Sequence, residues 1–470
     1  MHKNEVNHME HFKMLFWFLG GKFRKLFFMS VPESEEDYKH SRNMYILADT
    51  MYQTIANLAG GTFLMTLLAS LDISDGTIGT VLSIGSLAAV FQLLILKFIQ
   101  NLKKYKLYVT LTIFQRVWFG IIFFIPFLNC STKIKGILVI LLYLAAQILS
   151  QASTPVLVSW IAYLIPERIR GEFLAKKEAI AVFITVFSIF LMGIVFDYFS
   201  GSHLSQAFLI IGIILILLSL VNTAVIIRMH DPHPSLVNEA GKELHGHLAR
   251  RAEKNMPKIQ KSFFQIARET FQNSGFQKCL VVSVLWNLCY YIACPFMSSY
   301  TIRDLGLSYT YVTLIGLLTT ILRVSILPFM GRFSDRKGAE KALSLSLFIL
   351  MLSSLINVFL VPENATVLYI ASSLVAAVGW SYIGAGLLNI QLKYLDQEKQ
   401  TEQYTILSAS CGVMAMGISF VGGKILDFLQ QHKPVFFGKA LYAQQILNGV
   451  SAVLMMIMIL YVLFGVKKKQ

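Results

Sequence analysis

Apolar residues fall in long blocks along this chain, separated by short polar turns. Twelve blocks stand out: residues 45–70, 77–96, 107–128, 136–159, 179–199 and 207–227, then 279–300, 311–330, 342–361, 367–391, 405–428 and 441–466. A helix of about 20 mostly apolar residues crosses the hydrocarbon core of a bilayer, and its backbone groups pair within the segment. The blocks therefore predict twelve membrane-spanning helices, spans 1 to 12, in an all-α membrane protein. One long polar insert divides them six and six. The expected layout is an N-terminal segment (1–43), a six-helix bundle (44–228), a linker (229–278), a second six-helix bundle (279–466) and a basic tail (467–470).

Composition agrees. Hydrophobic residues make up 55% of the chain and charged residues only 14%, against roughly a quarter charged in a soluble domain. A net charge of +15 would suggest nucleic acid on a soluble protein. Here the basic residues sit in alternate turns instead. The termini, the insert and the turns after spans 2, 4, 8 and 10 hold most of them; the other turns hold few, among them Lys133, Arg303 and Lys433. The positive-inside rule then puts both termini and the insert in the cytoplasm, with the protein multi-pass in the cell membrane and no nucleic-acid partner. Residues 11–30, HFKMLFWFLGGKFRKLFFMS, mix aromatics with Lys13, Lys22, Arg24 and Lys25, and no small-residue cleavage site follows. A helix lying on the inner leaflet and a disordered tail both fit this segment. Cys130, Cys279, Cys289, Cys294 and Cys411 lack metal-ligand spacing and read as small core residues. No metal and no cofactor are expected.

The two halves repeat weakly. SLDISDGTIGTVLSIGSL after span 1 matches RDLGLSYTYVTLIGLL after span 7, each a short outer turn leading into a Gly-bearing span. GIVFDYF closes span 5 and GKILDFL closes span 11. Asp197 and Asp427 thus sit at matching outer ends, where they are expected to cap or latch helices rather than bind a ligand.

Between spans 8 and 9 runs Gly331-Arg332-Phe333-Ser334-Asp335-Arg336-Lys337-Gly338, continuing to Lys341 and Leu343. Its glycines permit a tight hairpin and its basic residues mark the cytoplasmic side. The run resembles the signature loop of the major facilitator superfamily of transporters, roughly G-x-L-x-D-R-x-G-R-K-x-x-L. Phe333 replaces the usual Leu, and Ala339 and Glu340 replace the first basic pair. The corresponding loop of the first half, KFIQNLKKYK, has neither Asp nor Gly. SWIAYLIPERIRGEFLAKKEA (residues 159–179) is similar to a W-x-x-x-L-x-P-x-x-x-R-G-x-F segment of bacterial members. There Trp160 suits the interface, Pro166 ends a helix and Gly171 permits a turn. The resemblance covers most of residues 42–466 and implies two pseudo-symmetric six-helix bundles, with parallel repeats around a central cavity.

It also implies that spans 1, 4, 7 and 10 line that cavity. Each carries a polar stripe: Asp49, Gln53 and Asn57; Gln147, Gln151 and Thr154; Ser283, Asn287, Tyr290 and Tyr291; Ser373, Trp380, Ser381 and Gly384. Gln53, Asn57, Gln147, Gln151, Asn287, Tyr291 and Trp380 are the candidate solute contacts. The same groups also serve as hydrogen-bonding glue between helices in other membrane proteins. Intramembrane charges are functional candidates by default. Asp49 is the candidate proton carrier if unpaired, and structural if Arg116 pairs with it. Arg116 and Arg323, with Gly331, Asp335, Arg336 and Gly338 of the signature loop, are candidates for gating. The resemblance also implies that Asp335 lies near the cytosolic start of span 11, where a carboxylate favours the positive end of the helix.

No phosphate-binding G-x-x-x-x-G-K-[S/T] loop is present, so ATP is not the direct energy source, and no nucleophile–base pair marks an enzyme. The expectation is a monomeric secondary transporter whose partners are a small solute and the bilayer. Amides with Trp and Tyr suit a neutral polar solute such as a sugar or nucleoside. Drug efflux remains open, since abundant Phe and Met suit a greasy pocket, although span 5 lacks a Gly-Pro-rich motif. A transporter-like membrane sensor that moves nothing also remains open.

Overall fold

The computed structural model describes residues 35–88, 90–91, 104–165, 167–230, 236–237, 243–244, 263–395, 400–432, 435–436 and 439–465. The N-terminal aromatic segment, most of the linker and the basic tail lie outside these residues.

Span 1 is two helices, α1 (Glu35–Leu58) and α2 (Gly61–Ala69), broken where Gly61 takes φ +49°, a conformation that favours a residue without Cβ. Span 2 is also in pieces, α3 (Asp75–Leu82) and α4 (Ile84–Ala88). The Ser74 hydroxyl oxygen accepts from the Thr77 N–H and caps α3. Then follow α5 (Lys104–Ile121), α6 (Thr132–Leu164), α7 (Glu167–Tyr198) and α8 (Leu204–Ile227). A short amphipathic helix, α9 (Phe263–Gln272), precedes α10 (Ser274–Tyr291). Span 7 continues past α10 through an irregular stretch of 3₁₀ and π turns to Asp304. The rest are α11 (Tyr309–Lys337), α12 (Ala339–Val358), α13 (Ala365–Tyr394), α14 (Gln400–His432) and α15 (Ala443–Leu460). Two antiparallel ladders of two residues per strand pair Leu236–Val237 with Glu243–Leu244 and Val435–Phe436 with Lys439–Ala440.

Among the described residues, 10 helical stretches are long and apolar enough to cross a membrane. The two expected spans missing from that count are spans 1 and 2, whose helices are interrupted. The helices also overrun their apolar blocks. At 32 residues and about 1.5 Å per residue, α7 is roughly 48 Å long, against about 30 Å of hydrocarbon. The apolar block marks what contacts lipid, whereas the helix goes on wherever its backbone bonds can.

Two expected turns are corrected for this reason. Gly331 is inside α11, and the chain reverses at Gly338 alone, with φ +92°. Gly171 is inside α7, and the reversal falls between Leu164 and Glu167.

The two halves have separate apolar cores. Phe63, Phe119, Phe123, Phe196 and Leu215 are buried together in the first, and Leu343, Leu347, Ile383, Ile390 and Met458 in the second. Large side chains such as Phe183, Val367 and Val453 stand exposed on the outer faces, where lipid would cover them. The first described residues, the ends of α8 and α11 and the end of α15 share one end of the bundle, here called proximal. The turns after α2, α7 and α14 are at the other, distal end.

Candidate functional site

The halves meet at the distal end along two seams. In the first, α3 crosses α14 backbone to backbone. A Cβ on Gly76 would lie 2.1 Å from the Gly423 carbonyl oxygen, and one on Gly423 2.4 Å from that of Gly76. Asp427 accepts from the Gly76 N–H at 2.9 Å and from the Ser74 hydroxyl at 2.9 Å. In the second seam, the end of α7 meets the start of α11. Asp197 accepts from the N–H groups of Tyr309 (2.8 Å) and Thr310 (2.6 Å). In each case a carboxylate at the end of one helix satisfies the first free N–H groups of a helix in the other half, at its positive end. The pairings are related by the internal repeat: span 11 caps span 2, and span 5 caps span 8. Arg303 donates to Asp75 at 2.6 Å across the same interface, and Gln430 donates to the other oxygen of Asp75 at 3.0 Å. Deeper in, Ser83 bonds Ser419 at 2.8 Å and Ser86 bonds Tyr291 at 2.6 Å.

Just below these contacts, at mid-depth, four of the sequence-predicted residues converge. Gln151 Nε2 is 3.4 Å from the Gly85 carbonyl oxygen. A Cβ on Gly85 would stand 3.2 Å from Gln147 Oε1, so both amides flank the residue beside Ser86. Tyr291, held by Ser86, packs edge-on against Tyr290 at 4.8 Å. Tyr290 stacks on Trp286 at 5.8 Å, and Trp380 meets Trp286 at 5.3 Å and Tyr290 at 5.5 Å. Gln147, Gln151, Tyr291 and Trp380 therefore edge one region, with Trp286 and Tyr290 added to it. Trp286 was missed because only polar residues and tyrosines were read along this helix; its spacing of three from Ser283 and four from Tyr290 puts it on the same face and was the available signal. Asn287 does not join them. It is buried and its amide donates to the Ser283 carbonyl on its own helix at 2.8 Å.

Asn57 is exposed and donates to the Gln53 carbonyl. Gln53 itself belongs to a charged group nearer the proximal end. Asp49 Oδ2 accepts from Lys177 Nζ at 2.7 Å and from Gln53 Nε2 at 2.9 Å, while Lys177 also reaches Glu178 at 3.1 Å. The partner of Asp49 is thus Lys177, not Arg116. Arg116 is buried inside the first half, with its guanidinium 4.8 Å from the centre of the Tyr52 ring. It takes no part in either seam. Lys177 escaped the sequence reading because it was placed in a loop, which the proximal extension of α7 abolishes.

The remaining candidates are at the proximal end. Arg323, Asp335 and Arg336 are exposed and form no ion pair with a described residue. The signature hairpin is pinned by its other residues. Ser334 accepts from the Tyr382 hydroxyl, which itself accepts from Asn389 Nδ2. Glu340, read above only as a departure from the family pattern, is buried and accepts from Lys393 and from the Tyr394 hydroxyl. The Glu340 hydrogen bond raises the Lys393 ammonium pKa above its ordinary value.

The sequence matches the Major Facilitator Superfamily profile over residues 45–419. No curated protein matches it at the sequence level. Among solved structures, the fold is similar to the nucleoside transporter NupG, with a TM-score of 0.66 and 12% identity over 92% of this chain and 100% of that one. A D-xylose–proton symporter gives 0.64 and 12%, over 92% and 100%. A bacterial homologue of the iron transporter ferroportin gives 0.65 and 12% in its inward-facing state, over 93% and 100%. In its outward-facing state it gives 0.53 and 14%, over 92% and 99%.

Proposed function

The chain belongs to the major facilitator superfamily, and from that premise we propose that it moves a small neutral polar solute, of the nucleoside or sugar kind, by alternating access. It is an integral membrane transporter rather than an enzyme. The observation that carries the solute reading is the pairing of the Gln147 and Gln151 amides with the Tyr291–Tyr290–Trp286–Trp380 group directly beneath the distal seams. Aromatic faces take up a planar or pyranose ring, and amides take its hydroxyl or ring polar groups. None of these side chains is charged, which suits a neutral solute. The fold similarity to a nucleoside transporter and a xylose symporter supports the same class.

The state is the one open to the proximal side. Its support is the joined distal end, the exposed Asn57, Glu178, Arg323 and Asp335, and the better match to the inward-facing ferroportin homologue. In the opposite state the seams part and the proximal ends close. Asp335 and Arg336, with the reversal at Gly338 between them and α12, then meet the facing half, and Arg323 guards the entrance. Asp49 is the coupling group, and a proton reaching it displaces Lys177.

Uptake of labelled nucleosides and sugars into proteoliposomes tests the reading. Saturable uptake of one class is expected, and Trp380→Ala should weaken its affinity about tenfold, or ~1.4 kcal/mol. Uptake indifferent to Trp380→Ala, or competition only by lipophilic drugs, would replace it with the efflux reading. Orientation has its own test. Lys133→Cys and Arg336→Cys should label from opposite sides of the membrane, Arg336→Cys from the cytoplasm, as the basic proximal turns require. Labelling of both from one side overturns the topology.

A further inference from the structure

We propose that span 12 sets the geometry of the solute region from behind, with Gln444 and Ser451 of α15 holding the bend in span 7. The consequence for solute affinity rests on the solute reading above; the support of the bend does not. Gln444, Asn448 and Ser451 recur at spacings of four and three on one face of α15, and each is at most 5% exposed. Through Gln444 and Ser451 that face meets the backbone of span 7.

Span 7 does not run straight at this depth. Pro295 has no N–H, and its ring crowds the carbonyl one turn back. Ala293 takes φ −128°, off the helical value, and its N–H goes to the Tyr290 carbonyl at 3.4 Å. In a continuous helix it would go to the carbonyl of Cys289. The Ala293 carbonyl keeps one long backbone bond, 3.3 Å from the Phe296 N–H. Lipid offers such carbonyls no donor, so the protein must supply one. Ser451 Oγ donates to the Cys289 carbonyl at 2.6 Å, and Gln444 Nε2 donates to the Ala293 carbonyl at 2.9 Å. The bend positions groups on both of its sides. Before it come Trp286, Tyr290 and Tyr291, the last bonded to Ser86 of the first half. After it comes Phe296, whose ring fills a notch in span 2 left by Gly79, where a Cβ would lie 2.1 Å from the ring. Gln444 and Ser451 are thus positioning residues, acting on the solute and on the distal seam through span 7.

The test uses the purified full chain, in nanodiscs for hydrogen exchange and in proteoliposomes for uptake of labelled uridine and D-xylose. Ser451→Ala removes one oxygen and leaves no large void. It should raise KM about fivefold. It should also speed amide exchange in residues 289–297 about tenfold, with the other spans unchanged. Adding Gln444→Leu should enlarge both effects, and Ser451→Thr, which keeps the hydroxyl, should restore wild-type values. A general loss of folding lowers the maximal rate and leaves KM alone, so the KM shift separates positioning from stability. Wild-type KM and exchange in Ser451→Ala, or exchange that quickens equally in every span, would overturn the proposal. If the wild type takes up neither probe, the solute reading fails, and exchange in residues 289–297 alone decides whether span 12 holds the bend.

Discussion

Gly76→Ala is expected to hold the distal end open and to reduce transport at least a hundredfold, or ~2.7 kcal/mol on the cycle. The added carbon would lie 2.1 Å from the Gly423 carbonyl oxygen and 2.7 Å from Asp427 Cγ. A backbone oxygen has no rotamer to escape into, so the two helices must part by roughly 1.5 Å to reach van der Waals contact at about 3.5 Å. That shift also stretches the bond from the Gly76 N–H to Asp427, one of the two carboxylate caps joining the halves. Nothing inside either half is disturbed, so insertion and folding should be normal. Gly423→Ala should behave in the same way. Gly417→Ala, on the same helix but with open space around its Cβ position, should transport normally. The direct readout is a cysteine at Ser86, which lies below the seam. It should become reactive to an impermeant reagent from the distal side in the Gly76→Ala background only. Wild-type transport by Gly76→Ala would mean that the α3–α14 crossing is not part of the cycle.

That crossing was not legible in the sequence. Gly76 and Gly423 are far apart in the chain, and each reads as an ordinary glycine near a helix end. The carboxylates beside them were legible. Asp197 and Asp427 recur at equivalent places in the two halves, and a carboxylate at a helix end in a membrane needs donors. Free N–H groups at the start of another helix supply them. The membrane blocks could be read because lipid imposes length and apolarity. Helix ends could not, because beyond the hydrocarbon a helix continues through charged residues. That one uncertainty narrowed the turn of residues 331–338 to Gly338 and moved the other from Gly171 to the neighbourhood of Leu164. It also hid Lys177, which looked like a loop cation and is the partner of Asp49. The aromatic half of the candidate site was half visible. Trp380 and Tyr291 stood on polar stripes; Trp286 shares the face of Ser283 and Tyr290 but, as an indole among polar groups, was passed over, and its ring packing shows only in the fold. Asn287 shows the opposite case, a polar residue on the right helix that bonds its own backbone.

Asp49→Asn separates structure from coupling only if Lys177 is changed with it. The pair is buried, with Asp49 and Lys177 side chains each 10% exposed. Removing the carboxylate leaves an ammonium whose remaining anion is Glu178 at 3.1 Å, in a largely exposed position. Breaking a buried ion pair from one side leaves an uncompensated charge, so the single variant should lose about 3 kcal/mol of stability. Its low expression would then say nothing about protons. Replacing both members, Asp49→Asn with Lys177→Met, removes the stranded charge and should restore folding to near wild type. Met also fills the space left by the lysine stem. Transport by this double variant is the decisive measurement. If Asp49 carries the coupling proton, the double variant should exchange solute across the membrane but fail to accumulate it against a gradient at any imposed ΔpH. If the Asp49–Lys177 pair only ties α1 to α7, accumulation should survive.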